Sequence, residues 1–488
     1  MRLIIILIFL FINSNLSFGQ STLFNKTYDD RNYYNGSMCV LFDQKSQSYV
    51  LGGSTDDWLG YDAGLIIKIN SLGDTIWQRF FDFSPSGESI NSSCLSKNGN
   101  YIFVGHVVDT LVMRGEISLI EIDTAGNLLW WKHYGDSVTD IGQGVKLTPD
   151  GGYIISGWSY TDTSITATEN GYVLKTDSVG NLLWGGKFGG NSSDLFYSVD
   201  LAIDGGYILG GRTNSYGLGG TDLWMVKIDS IGNFKWQKTF GTINNDFGHT
   251  VISTLDGGYA IIGSITRNLN EDAFIVKTDN VGNIEWEKTF GTLQYLETFY
   301  SLKQSLDSNL IAVGTSERNN FEGILVKYKQ NGDTVLSKYY RHNPISTYND
   351  HYFYDVAVLN NGGFAICGMT IESNKPNKND FWLVVTDSLG CDNSSCVIDG
   401  VEEETLNSNN TKIYPIPACG MLNIDFDQSI NKNTILNIFD IDGKLIKSEL
   451  IFHVTQQYQI DISDLISGVY ILQLKSKLGE ENLKFLVQ

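Results

Sequence analysis

Proline is scarce in this chain, with 6 in 488 residues, whereas glycine reaches 51 and aromatics 12%. That balance excludes the proline-rich, aromatic-poor composition of disordered protein and fits many short strands joined by tight turns. Positive charge is also in deficit: 34 Lys and Arg stand against 55 Asp and Glu, a formal charge of −21. Nucleic acid is therefore not an expected partner, because backbone binding needs clustered cations to displace counterions. After the first 19 residues no run approaches the ~18 to 20 apolar residues of a spanning helix, so no transmembrane segment is expected. The six histidines have no ligand spacing and no CxxC occurs, so neither a metal site nor a cofactor is expected.

What is present begins with a leader. Met1 to Gly19 has Arg2 at its start, an apolar core from Leu3 to Ile12 and the small-residue ending Ser17-Phe18-Gly19. It reads as a secretory signal cleaved before Gln20, which places the rest in an oxidising compartment. Cys391 and Cys396, five apart in GCDNSSC, are then expected to close a disulfide loop. Cys39, Cys94, Cys367 and Cys419 lie in strand-like runs and read as small buried thiols.

The chain is internally repetitive. A Tyr-apolar-apolar-x-Gly core recurs with its last glycine at Gly53, Gly105, Gly157, Gly211, Gly263, Gly314 and Gly368, seven copies in all. Four strands fit each copy. In the fourth, a first strand from Asp194 is followed by an Asp-Gly-Gly turn, a second from Tyr207, a third over Asp222 to Ile228, an Asp-x-x-Gly-Asn turn and a fourth over Phe234 to Phe240. Four antiparallel strands per ~50 residues predict an all-β, seven-bladed β-propeller over residues 20–396. The last copy lacks its fourth strand, and Phe24 to Tyr28, FNKTY, looks like WQKTF at Trp236 to Phe240. An N-terminal strand is thus expected to complete the last blade, closing the ring and removing its sheet edges.

Residues that recur in most copies read as scaffold. Trp77, Trp130, Trp184, Trp236 and Trp286 are expected to pack between blades. Lys68, Lys175, Lys227, Lys277 and Lys327 are expected to form a repeated interstrand ion pair with Glu88, Asp140, Asp194, Asp246 and Glu297. Function is expected instead in the long, irregular loops, which all emerge on one face. The ligand-binding candidates there are Trp58, Tyr61, Trp158, Tyr160, Arg212, Tyr216, Arg267, Tyr300, Arg318 and His351. Aromatics with a few arginines suit sugars or peptides. No catalytic residue is identifiable.

The D-x-x-G-N-x-x-W segment resembles the repeats of pyrroloquinoline-quinone-type propellers and, more distantly, the Asp-box of sialidases. Asp and Gly stand one residue closer than in the quinoprotein repeat and one further than in the Asp-box. The resemblance implies a propeller and transfers neither a quinone site nor sialidase activity.

After an acidic linker at 397–412, residues 413–488 form a second strand-rich unit, expected to be a small Ig-like β-sandwich with a hairpin at Asp442-Gly443. IYPIPACGMLNIDF at Ile413 to Phe426, LNIFDIDGKLI, IDISDLISGVYILQL and the terminal NLKFLVQ resemble, in order, the blocks of the type A sorting domain of the Bacteroidota type IX secretion system. Tyr414, Pro415, Pro417, Gly443, Gly468 and Tyr470 carry that motif; Ile416 and Cys419-Gly420 depart from it. The resemblance implies the type IX machinery as partner, export across the outer membrane, removal of this domain, and release or surface attachment. The combined expectation is a secreted binding or adhesion module for extracellular glycan or protein. Alternatives are a secreted polysaccharide hydrolase or lyase, which would need two carboxylates at the channel mouth, and a purely structural interaction protein.

Overall fold

The computed structural model describes residues 23–487 apart from 29–34, 57–61, 85–86, 110–113, 165, 268–269, 293, 306, 319, 343–348, 372–378, 394–411, 431–433, 441–443, 452–454, 467 and 477–478. Its residues fall into two compact units, 1–401 and 402–488. Every regular element among them is a β-strand, and no helix is long and apolar enough to cross a membrane.

Among the described residues the first unit contains seven four-stranded antiparallel sheets, numbered here in chain order. In sheet 4 the strands are Asp194–Leu201, Tyr207–Thr213, Asp222–Ile228 and Phe234–Phe240. The third is buried at every residue, as its apolar run requires where neighbouring sheets cover both faces. Its turn is set by Asp229, whose Oδ1 accepts the Ile231 and Asn233 N–H groups at 3.1 and 2.8 Å, and by Gly232 at φ 88°. Sheet 7 is completed by Phe24–Tyr28, which pairs along Phe381 to Val385, so the N-terminal strand does supply the missing fourth position.

The inner strands are Asn35–Asp43, Glu88–Leu95, Asp140–Leu147, Asp194–Leu201, Phe247–Ser253, Glu297–Gln304 and Asp350–Val358. Each contacts the next, and the last contacts the first, so they encircle a common axis. Apolar clusters lie between adjacent sheets; one joins sheets 7 and 1 through Phe24, Tyr49, Leu65, Phe381 and Leu383.

The repeated tryptophans pack between sheets as expected. Trp130 lies against Tyr153, Trp184 against Tyr207 and Trp236 against Tyr259, with centroids 6.3, 6.3 and 5.8 Å apart, each pair bridging neighbouring sheets. The expected ion pair is not the one formed. Lys175, Lys227 and Lys327 reach Asp150, Asp204 and Asp307 beside the first hairpin turn of their own sheets, at 2.9, 2.9 and 2.7 Å. The acids that begin the inner strands instead accept loop N–H groups: Gly190 to Asp194 at 2.7 Å and Asp136 to Asp140 at 3.2 Å. The third strand's last turn runs beside the first hairpin and away from the start of the inner strand, which explains the pairing.

In the second unit seven strands run in one hydrogen-bonded order, with Ala418, Leu422, Leu436, Ile438, Ile460, Leu472 and Phe485 sharing a single core. The expected hairpin forms between Thr434–Asp440 and Leu445–Ile451, while its Asp442-Gly443 tip lies outside the described residues.

Candidate functional site

Each inner strand carries one bulge, and its cause is legible in the repeat. A Cβ placed on Gly211 would stand 2.0 Å from the Leu195 carbonyl oxygen, and one on Gly157 would stand 1.9 Å from that of Ile141. Only glycine allows the second strand to approach this closely, and the inner strand responds by extruding one residue beside it. The register shifts place Met38, Asn91, Gln143, Tyr197, Tyr300 and Tyr354 at that bulge; in sheet 5 the shift spans His249 and Thr250. His249 and the other six are half-buried, on the strands that encircle the axis.

Four consecutive sheets make this ring aromatic. Tyr197 lies 5.4 Å from His249, His249 4.9 Å from Tyr300, and Tyr300 5.3 Å from Tyr354, centroid to centroid. Neighbouring hydroxyls fix the arc: Ser198 donates to the His249 carbonyl at 3.1 Å and Thr250 to the Tyr300 carbonyl at 2.7 Å. Burial, then the charge of Arg212, hold His249 down at about 4, and burial raises Tyr197 and Tyr300 above the ordinary phenol. At neutral pH the arc is therefore uncharged. Elsewhere Tyr134 and Tyr340 give their hydroxyls to the Gly180 and Gly390 carbonyls at 2.6 Å. Among the described residues, the hydroxyls of Tyr197, Tyr300 and Tyr354 and the His249 ring nitrogens have no protein hydrogen-bond partner.

Deeper carboxylates are engaged. Asp200 pairs with Lys146 at 3.2 Å; Asp355 pairs with Lys303 at 3.5 Å and accepts the Ser301 hydroxyl at 2.7 Å. Burial pushes Glu88 up to about 8 and Glu297 up to about 7, shifts that in a cleft would mark a proton-transfer group. Both are buried and pin loops, Glu297 accepting from Ser316 at 2.9 Å. No group of three or more metal-ligating side chains occurs among the described residues.

The candidates foreseen in the loops are placed as follows. Arg212 and Tyr300 come together at the arc, Arg212 over the Tyr197 ring at 5.7 Å and the Phe247 ring at 5.5 Å. Trp158 meets Tyr160 edge-on at 5.6 Å, and Tyr160 lines a cleft of about 770 Å³ with Arg114, Thr139, Asp162 and Glu169. Tyr216 donates to the Gly189 carbonyl at 2.9 Å. Arg267 is clamped to Asp272 at 2.6 Å, and Arg318 stacks over Tyr339 at 5.2 Å. His351 is 1% exposed, packed 5.3 Å from Trp382, and has no open edge toward the loops. Trp58 and Tyr61 lie outside the described residues. Sequence reasoning missed Tyr197, His249 and Tyr354. The signal was available: fourteen residues before Gly211, Gly263, Gly314 and Gly368 stand Tyr197, His249, Tyr300 and Tyr354.

Cys391 is disulfide-bonded, and Cys396 lies outside the described residues. Cys39, Cys94 and Cys367 are free thiols. In the second unit Tyr414 is exposed and donates to Asp425 at 3.1 Å, while Tyr470 is buried against Phe485 and donates to the Ile466 carbonyl at 2.9 Å. Gly468 starts its strand opposite Val487; Pro415 and Pro417 lie within Lys412–Cys419, and Gly443 falls outside the described residues.

Residues 412–488 match the secretion system C-terminal sorting domain. The chain thus carries a sorting tail of the type IX system, which marks it for export to the cell surface or beyond. No curated protein matches the sequence. Among solved structures, the β-propeller domain of the Trilobed protease from Pyrococcus furiosus aligns with TM-score 0.41 and 9% identity over 74% of this chain and 93% of that one. A PL25 ulvan lyase aligns with TM-score 0.42 and 8% identity over 74% and 96%, and Sqt1 from Chaetomium thermophilum with 0.37 and 11% over 82% and 97%. No site is carried over from them.

Proposed function

We propose that the chain is a secreted or surface-displayed seven-bladed propeller that binds an extracellular glycan at the mouth of its central channel. The carrying observation is the arc Tyr197, His249, Tyr300 and Tyr354, half-buried, whose polar tips lack protein partners among the described residues. Folded proteins satisfy nearly all their polar groups, so open hydroxyls on a preorganised aromatic surface mark a place for a polar ligand with apolar faces. A pyranose ring has both. The channel carboxylates that acid–base hydrolysis would need are spent on lysines and hydroxyls, which favours binding over cleavage. In this reading Met1 to Gly19 is a cleaved signal, 20–396 the propeller, 397–412 a linker, and 413–488 an Ig-like sandwich removed after export from a Bacteroidota cell, with Cys391 bonded to Cys396. The test is a glycan array probed with the full-length protein and a Tyr300→Ala/Tyr354→Ala variant. Bound glycans should be lost from the variant while its melting temperature stays within a few degrees; an unchanged array would move the site elsewhere.

A further inference from the structure

Arg212 differs from every other residue at its position. The residue after the signature glycine is Ser54, His106, Trp158, Ser264, Thr315 or Met369 in the other copies, so a permanent charge occurs here once. Its guanidinium is held between two ring faces, over Tyr197 and Phe247 at 5.7 and 5.5 Å. Stacking of this kind fixes the side chain while leaving the in-plane N–H donors open. Two other arginines at this end of the sheets are paired with carboxylates, Arg267 with Asp272 and Arg341 with Glu322, each at 2.6 Å, while Arg318 stacks on Tyr339 in sheet 6, away from the arc's Tyr197 end. Among the described residues, Arg212 has neither a carboxylate partner nor a side-chain hydrogen bond. In a chain with 55 acidic residues, a half-buried guanidinium left without one is an unusual choice. Two carboxylates act on the arc from neighbouring strands, Glu169 on Tyr197 and Glu271 on Tyr300, and both accept serine hydroxyls, from Ser193 and Ser264. Glu271 thereby disfavours an anion beside Tyr300, whereas at Tyr197 the Arg212 guanidinium over the ring outweighs Glu169 and makes that end the better one for an anion.

We propose that the glycan is acidic, and that Arg212 reads its carboxylate or sulfate while Tyr197, His249, Tyr300 and Tyr354 hold the adjoining sugar rings. This rests on the channel mouth being a glycan site, and the experiment separates the two ideas. Calorimetric titration of the full-length protein would use tetragalacturonate, its methyl ester, a sulfated carrageenan tetrasaccharide and tetraglutamate. Tetragalacturonate or the sulfated tetrasaccharide should bind about 10- to 100-fold tighter than the methyl ester, the usual worth of a charge-assisted hydrogen bond. The Arg212→Gln variant should bind acid and ester equally, with an unaltered melting temperature, and Arg212→Lys should recover part of the difference. If the wild-type protein binds acid and ester alike, the acidic preference falls and the glycan site stands. If no saccharide binds, both fall. Tetraglutamate binding as tightly as the saccharides would overturn the saccharide class, and an Arg212→Gln variant that still discriminates would overturn the role of Arg212.

Discussion

At the residue scale, the repeated lysine shows how far sequence spacing reaches. Its recurrence at the end of the third strand correctly marks it as scaffold, but spacing alone does not reveal which of two equally periodic acids lies beside it. The structure chooses the acid beside the turn, and the choice has an energetic signature. Lys227 is 2% exposed, and its Nζ donates to Asp204 and to the Ile228 carbonyl at 2.9 and 3.0 Å. The Asp204 side chain is 60% exposed. Removing the acid leaves a buried ammonium without its counter-charge, whereas removing the lysine leaves a carboxylate that water can solvate. Asp204→Ala should therefore cost roughly 1 to 3 kcal/mol, and Lys227→Met, which retains the aliphatic stem, less than about 1 kcal/mol. Chemical denaturation of the two variants checks this, and the reverse order would refute the assignment.

At the element scale, strands and turns were legible because their signals are local: Asp-Gly-Gly and Asp-x-x-Gly-Asn turns, a continuous apolar third strand, a tryptophan in the fourth. The bulge was not, because it arises from contact between two strands. Its sequence trace is the signature glycine, which looks like a turn or flexibility marker until the close approach is seen. Gly205 and Gly211, six residues apart, separate these two uses. Gly205 has φ 84° and nothing within 4 Å of where a methyl would stand, so Gly205→Ala meets only the left-handed backbone penalty, about 1 to 2 kcal/mol. Gly211→Ala drives a methyl to 2.0 Å from the Leu195 carbonyl oxygen and should cost at least about 3 kcal/mol. Because that shift displaces the inner strand beside Tyr197, ligand binding should weaken in Gly211→Ala and survive in Gly205→Ala. Denaturation midpoints and titration on both variants test the pair.

At the scale of the whole molecule, the ring and its closing strand could be read from a seven-fold count with one strand missing at one end and one to spare at the other. The candidate site could not, since it is assembled from residues roughly fifty apart in sequence whose identities vary from copy to copy. Variation within an otherwise regular repeat is what a ligand site on a closed ring requires, because any single ligand meets the copies unequally. The second unit has a core of its own, from Ala418 to Val487, so its removal takes no residue from the clusters between the seven sheets. Export and folding should therefore separate. Deleting residues 413–488 should leave a protein that resists proteolysis and binds the same saccharide as the full chain, yet accumulates in the periplasm and not in the medium or at the surface. Cell fractionation followed by titration of the retained protein tests both halves. Normal export of the deletion would remove the sorting role from this tail, and loss of saccharide binding would show that the ring depends on the second unit for its stability.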